Sequence, residues 1–188
     1  YANGLLLEAS AELPRLGPVT AGAAYIGKLG HGDGAEWASQ YGAYVNIFYM
    51  KGGSASLWYR TPAIGSAAGG EGSITARITQ KLGPAVLNAR YDMELGKPER
   101  DALRLSLEYS PMWRQRYEAY YAGTGVRSDD AAYTLGVKAS FWLNPQAWAL
   151  LDISRTLGTA TPSTNVQGSL RYDLAKSLTL TAAAKATK

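Results

Sequence analysis

The chain has no cysteine, so neither a disulfide framework nor a thiolate metal site can hold its fold, and stability must come from packing and hydrogen bonding. Phenylalanine is scarce, with two residues, and there is one histidine. No apolar run approaches the roughly 18 residues that a spanning helix requires, and the first residues lack the basic, apolar and small-residue order of an export signal. An exported form is therefore expected to have lost its signal already. The net charge of +4 is modest and its bases are scattered, which sets nucleic acid aside as a partner.

What is present points to strands. Thirteen tyrosines, five tryptophans and 21 glycines suit pleated surfaces and amphipathic boundaries better than a helical bundle. With 188 residues, 46% of them hydrophobic, residues 1–188 are expected to form one domain.

The main signal is a period of two, because alternate residues of a strand face opposite sides of a sheet. Ala131, Tyr133, Leu135, Val137, Ala139, Phe141 and Leu143 alternate with Thr134, Gly136, Lys138 and Ser140. Trp37, Tyr41, Ala43, Val45, Ile47 and Tyr49 alternate with Gln40, Gly42, Tyr44 and Asn46, and Leu103, Leu105, Leu107 and Tyr109 with Arg104, Ser106, Glu108 and Ser110. Similar runs begin near Gly4, Val19, Ser54, Ser73, Ala85, Trp113, Ala147, Val166 and Leu178. About twelve strands follow, each near the nine to eleven residues of a tilted bilayer crossing.

Connections alternate in length. Tight turns are expected at Pro14 to Pro18, Lys51 to Gly53, Gly83 to Pro84, Pro111 to Met112, Asn144 to Gln146 and Ala175 to Ser177, where glycine and proline supply turn geometry. Longer loops are expected around His31 to Glu36, Thr61 to Gly72, Gly96 to Asp101, Thr124 to Asp130 and Gly158 to Thr164.

Charge separates the two faces. The face opposite the apolar one holds Arg60, Arg77, Arg90, Asp92, Glu94, Arg104, Glu108, Arg114, Arg116, Glu118, Lys138, Asp152, Arg171 and Asp173, whereas the apolar face carries only Arg155. A lipid-facing Arg or Lys near the midplane costs about 2–4 kcal/mol, while one facing a lumen stays solvated or paired. Trp37 and Tyr49, Trp113 and Tyr121, and Tyr133 and Phe141 gather on the apolar face towards strand ends. Eight residues at about 3.3 Å each, tilted by about 40°, span roughly 20 Å, close to the apolar band between aromatic girdles. A soluble sandwich or barrel would instead put the charged face outside.

This pattern resembles the Gram-negative outer-membrane β-barrel superfamily, small porins included, over essentially the full length. Ser169-Leu-Arg-Tyr-Asp-Leu-Ala-Lys-Ser-Leu-Thr-Leu looks like an outer-membrane hairpin. Two features depart from the family: the chain ends Ala184-Lys185-Ala186-Thr187-Lys188 without a terminal aromatic, and the short first connection puts both termini on the long-loop rim. A fragment of a larger barrel, or a de novo designed transmembrane barrel, would carry the same pattern. The resemblance implies an all-β, antiparallel up-and-down transmembrane β-barrel, integral to the outer membrane and bathed by lipid or detergent.

Chemistry is sparse. His31, Asp33 and Glu36 read as a solvated loop rather than a metal or proton-transfer site, and Gly65 to Gly72 lacks the Lys and Ser/Thr of a phosphate loop. No enzyme activity and no cofactor are expected. The bases outnumber the acids on the charged face, so a passive pore for ions or small polar solutes, with weak anion preference, is the expected function. The alternatives are a plugged structural or anchoring barrel, in which those charges pair across the lumen, and a soluble binding protein. On the apolar face Ala9, Ala11, Ala21, Ala23, Ala182, Ala184 and Ala186 read as a smooth seam where the terminal strands meet; the oligomeric state stays open.

Overall fold

The computed structural model describes residues 5–29, 37–62, 64, 71–159, 161–175 and 178–188. His31, Asp33, Glu36 and most of the glycine-rich 65–72 segment fall outside that range. The strands are β1 (Leu5–Glu12), β2 (Val19–Leu29), β3 (Trp37–Met50), β4 (Gly53–Arg60), β5 (Ser73–Leu82), β6 (Ala85–Glu94), β7 (Ala102–Met112), β8 (Gln115–Thr124), β9 (Ala132–Asn144), β10 (Ala147–Leu157), β11 (Ser163–Ala175) and β12 (Leu178–Thr187). All twelve form one antiparallel sheet in sequence order.

The short connections lie at one end and the long ones at the other. Lys51-Gly52 and Gly83-Pro84 join their strands directly, with Gly52 and Gly83 at φ of 74° and 61°, a region that admits glycine without strain. Register irregularities fall at Ile47/Met50, Tyr109/Met112, Ala147/Trp148 and Asp173/Ala175, all at the short-turn end. Bulges there bend and twist strands, as they do at barrel rims.

Two expectations require correction. The turn read at Pro111 to Met112 lies at Trp113 and Arg114, because β7 continues through Met112. Proline, lacking an N–H, sits inside the irregularity between Tyr109 and Met112, and pairing resumes at Met112 opposite Gln115. Barrel closure is also absent: the sheet runs open, with β1 paired to β2 and β12 to β11. Period-two alternation decides which way side chains face, but it carries no information about which strand lies beside an edge.

Partners traced straight across from Glu12, the last residue of β1, are Gly22, Tyr44, Trp58, Thr75, Asp92, Ala102, Thr124 and then Ala132, the first residue of β9. The line thus climbs from the short-turn end to the long-loop end. With about 3.3 Å per residue and about 4.8 Å per strand, and with the short turns level, the strands incline by about 45°.

The hydrophobic residues do not form a core. Among the described residues Ala147 is the only buried hydrophobic one, while Leu57, Leu105, Leu107, Leu135, Val137 and Leu151 lie exposed on the apolar face. On the opposite face Ser106 is 7% exposed, between Leu105 at 41% and Leu107 at 47%. The chain's accessible surface is 12746 Å², against roughly 8,700 Å² expected of a compact soluble protein of its 20.1 kDa mass.

Candidate functional site

The candidate site is the polar face. Strand register puts Arg60, Arg77, Arg90, Asp92, Glu94, Arg104, Glu108, Arg116, Glu118, Lys138, Asp152, Arg171 and Asp173 on it together. Arg114 is the exception: it occupies the β7–β8 turn, its guanidinium 4.3 Å from the Trp113 ring centre.

Like charges meet across strands. Arg77 opposes Arg90, which opposes Arg104, and Glu108 opposes Glu118. Direct like-charge opposition is unfavourable, and the side chains relieve it by pairing diagonally or along their own strand. Arg104 binds Glu118 at 2.8 Å, Arg116 binds Glu108 at 2.6 Å, and Arg90 forks onto Asp92 at 2.5 and 2.9 Å. Lys138 and Asp152, direct partners, stand 3.8 Å apart, and Arg171 meets Asp173 at 3.0 Å. These pairs are partly exposed, so each contributes little stability by itself; together they order the wall's charges.

Two tyrosines bridge three strands each. Tyr44 of β3 lies over its partner Gly22 of β2, and its hydroxyl reaches Glu12 of β1 at 3.3 Å. Tyr120 of β8 lies over Gly136 of β9, and its hydroxyl reaches Asp152 of β10 at 3.2 Å. In both places a Cβ would stand within 2.6 Å of the ring, and at Gly22 equally close to the Ala11 carbonyl oxygen; covering a sheet glycine with an aromatic ring restores the contacts that glycine lacks. Tyr44 stacks on Trp58, centroids 4.5 Å apart, whereas Tyr120 has Arg104 and Lys138 at 5.2 and 4.8 Å from its ring centre.

Near the long-loop end a cavity of about 410 Å³ opens on the polar face, lined by Trp58, Arg60, Thr75, Arg77, Arg90 and Asp92, among others. Arg90 is held by Asp92, and Arg100 at its edge by Glu94 at 3.3 Å. Arg60 and Arg77 make no ion pair among the described residues.

At the long-loop rim Asp101 is fully buried. Its carboxylate accepts the Tyr91 hydroxyl at 2.8 Å, the Glu94 N–H at 3.1 Å and the Arg127 Nε–H, and its carbonyl accepts the Gly125 N–H at 2.7 Å. The β6–β7 and β8–β9 loops are thereby tied together. The Arg127 guanidinium outweighs burial and holds the Asp101 carboxyl below the usual carboxylate range.

On the apolar face the aromatics form two groups. Tyr121 and Tyr133 stack at 5.9 Å towards the long loops, and Tyr117 meets Phe141 edge-on at 5.7 Å towards the short turns. Tyr49 lies at the short-turn end of β3, its hydroxyl 3.5 Å from the Thr79 carbonyl, and Trp113 projects from its turn, 74% exposed. Trp37 opens β3 at the long-loop end. Arg155 is exposed on this face near the loop end of β10.

Reading the sequence did not single out Trp58, Tyr120, Asp101 or Arg127. Trp58 and Tyr120 do fall on polar-face positions within alternating runs, which could have flagged them as aromatics outside the apolar face. Compared with protein-family models, curated proteins and solved structures, the chain matches none, so its function rests on the sheet's own geometry.

Proposed function

We propose that the chain forms the wall of a transmembrane β-barrel of the Gram-negative outer-membrane type, with its polar face lining a passive pore for ions and small polar solutes. The carrying observation is the exposure of the large apolar side chains on one face while the other holds the ion pairs and the near-buried Ser106. A soluble sandwich would bury those apolar residues between two layers, but the twelve strands form one layer.

Closure would pair β1 with β12, which run antiparallel to each other, along a seam flanked by Ala9, Ala11, Ala182 and Ala184. A tilt of about 45° falls at the upper end of the barrel range. Twelve strands at about 4.8 Å, so tilted, close at a circumference of about 80 Å and a backbone diameter of about 26 Å. Side chains reaching about 7 Å from each wall leave a lumen roughly 12 Å wide. A hollow of about 580 Å³ on the apolar face, over Ala119 and among Leu105, Leu107, Val137 and Ile153, suits a lipid chain.

A plugged barrel is the second reading. In the open sheet every ion pair among the described residues joins neighbouring strands, one strand to itself, or rim loops; the pore reading keeps these pairs along the wall on closure, whereas a plug would add pairs across it. Arg60 and Arg77, which make no ion pair among the described residues, favour anions. Planar-bilayer recordings test the proposal: discrete conductance steps and a reversal potential of anion-selective sign are expected under a salt gradient. Folded, inserted protein that stays silent would favour the plug.

A further inference from the structure

We propose that the cavity bounded by β4, β5 and β6 on the polar face is a binding site for an aromatic carboxylate, a flat ring bearing a negative group. The inference deepens the pore reading and rests on it for the ligand's route, but the site itself is argued from local geometry.

Trp58 and Thr75 are direct cross-strand partners and both line the cavity. Arg60 lies two residues beyond Trp58 towards the long loops, and Arg77 two residues beyond Thr75 towards the short turns. An arginine position thus lies on either side of the Trp58–Thr75 pair, and both arginines line the cavity. The neighbouring charges are already satisfied: Asp92 takes both hydrogen bonds of Arg90 and the Thr75 hydroxyl at 2.7 Å, and Glu94 takes Arg100. Among the described residues Arg60 and Arg77 make no ion pair, which leaves an excess of positive charge beside an aromatic surface that Tyr44 stiffens by stacking.

A planar fork of N–H donors fits a carboxylate with two parallel hydrogen bonds, and an indole offers a face to a flat ring. A small inorganic anion would leave Trp58 unused. A neutral ring would leave both guanidinia unmatched. The volume of about 410 Å³ admits a single substituted ring.

Ligand-observed saturation-transfer NMR on the full chain in detergent measures this without any need for conduction. Benzoate should bind in preference to benzamide, which lacks the charge, and to acetate, which lacks the ring. Arg77→Gln and Arg60→Gln should each weaken benzoate about tenfold, and Trp58→Leu should remove its advantage over acetate; circular dichroism checks that each variant keeps its strands. Equal binding of benzoate and benzamide, or unchanged affinity in the double Arg60→Gln, Arg77→Gln variant, would overturn the site. Such a failure in a protein that conducts leaves the pore standing, and specific binding by a protein silent in bilayers leaves the site standing.

Discussion

The two tyrosine bridges use one geometric device in two chemical settings. In β1–β3 the Tyr44 ring crosses Gly22 to reach Glu12, with Trp58 as its neighbour. No ion pair lies on those three strands among the described residues. In β8–β10 the Tyr120 ring crosses Gly136 to reach Asp152 between two cations, Arg104 and Lys138, inside the band of ion pairs. The shared part, a ring laid over a cross-strand glycine, concerns how the sheet packs its own surface. The part that differs concerns the polar face: one flank offers an aromatic surface, the other a dense array of alternating charge.

Adding a methyl to each glycine should break this comparison most strongly. At Gly22 a Cβ would stand 2.6 Å from the Ala11 carbonyl oxygen as well as from the Tyr44 ring, so backbone must move; Gly22→Ala should destabilise by about 1–3 kcal/mol. At Gly136 the nearest atoms all belong to the far end of the Tyr120 ring, which can swing aside, and Gly136→Ala should cost about 1 kcal/mol, mainly the lost Asp152 contact. Urea titrations of protein folded into lipid vesicles read both, and equal losses would remove the distinction.

Deleting the hydroxyls gives a smaller effect. Tyr120→Phe should cost about 0.5–1 kcal/mol, since Asp152 is partly buried and loses a hydrogen bond while Lys138 stays 3.8 Å away. Tyr44→Phe, at an exposed bond, should fall below it in the same assay. Charge reads the contrast differently: Arg104→Gln frees Glu118 and should move the reversal potential towards cation preference, whereas Glu12→Gln on the aromatic flank should move it less.

The smallest effect concerns the rim lock, which belongs to the β6–β9 side. The folded-state pKa of Asp101 lies below its ordinary value of 3.8, so its contribution is complete above that value and is lost as pH falls through the lower folded value. Hydrogen exchange at the Gly125 amide should be independent of pH, after correction for intrinsic rates, from about 8 to 5 and should lose protection only in stronger acid. Loss near neutrality would mean that something other than Asp101 holds the loops.

Much of this architecture was legible before any coordinates. Strand starts at Val19, Ser73, Ala85, Ala147 and Leu178 follow from alternation, because a side facing water and a side facing apolar surroundings demand different residues at every second position. Pro111 misled because proline usually marks a turn, yet a bulge absorbs it just as well. The tyrosine bridges were hidden because they depend on register: Gly22 meets Tyr44 only once the strands are aligned. Asp101 and Arg127 lie in loops, where alternation says nothing, and the free edges of β1 and β12 are a matter of neighbour choice, which no single strand encodes.

The central claim is that odd positions of β7 face lipid and even ones face water, and the absence of native cysteine permits a direct test. Single cysteines at Leu103, Arg104, Leu105, Ser106, Leu107 and Glu108, each carrying a spin label in vesicles, would be scored for collision with oxygen, which partitions into lipid, and with a water-soluble nickel chelate. The account predicts strict alternation, oxygen dominating at 103, 105 and 107 and the chelate at 104, 106 and 108. Alternation in the opposite phase, or uniform access to the chelate along the strand, would contradict it.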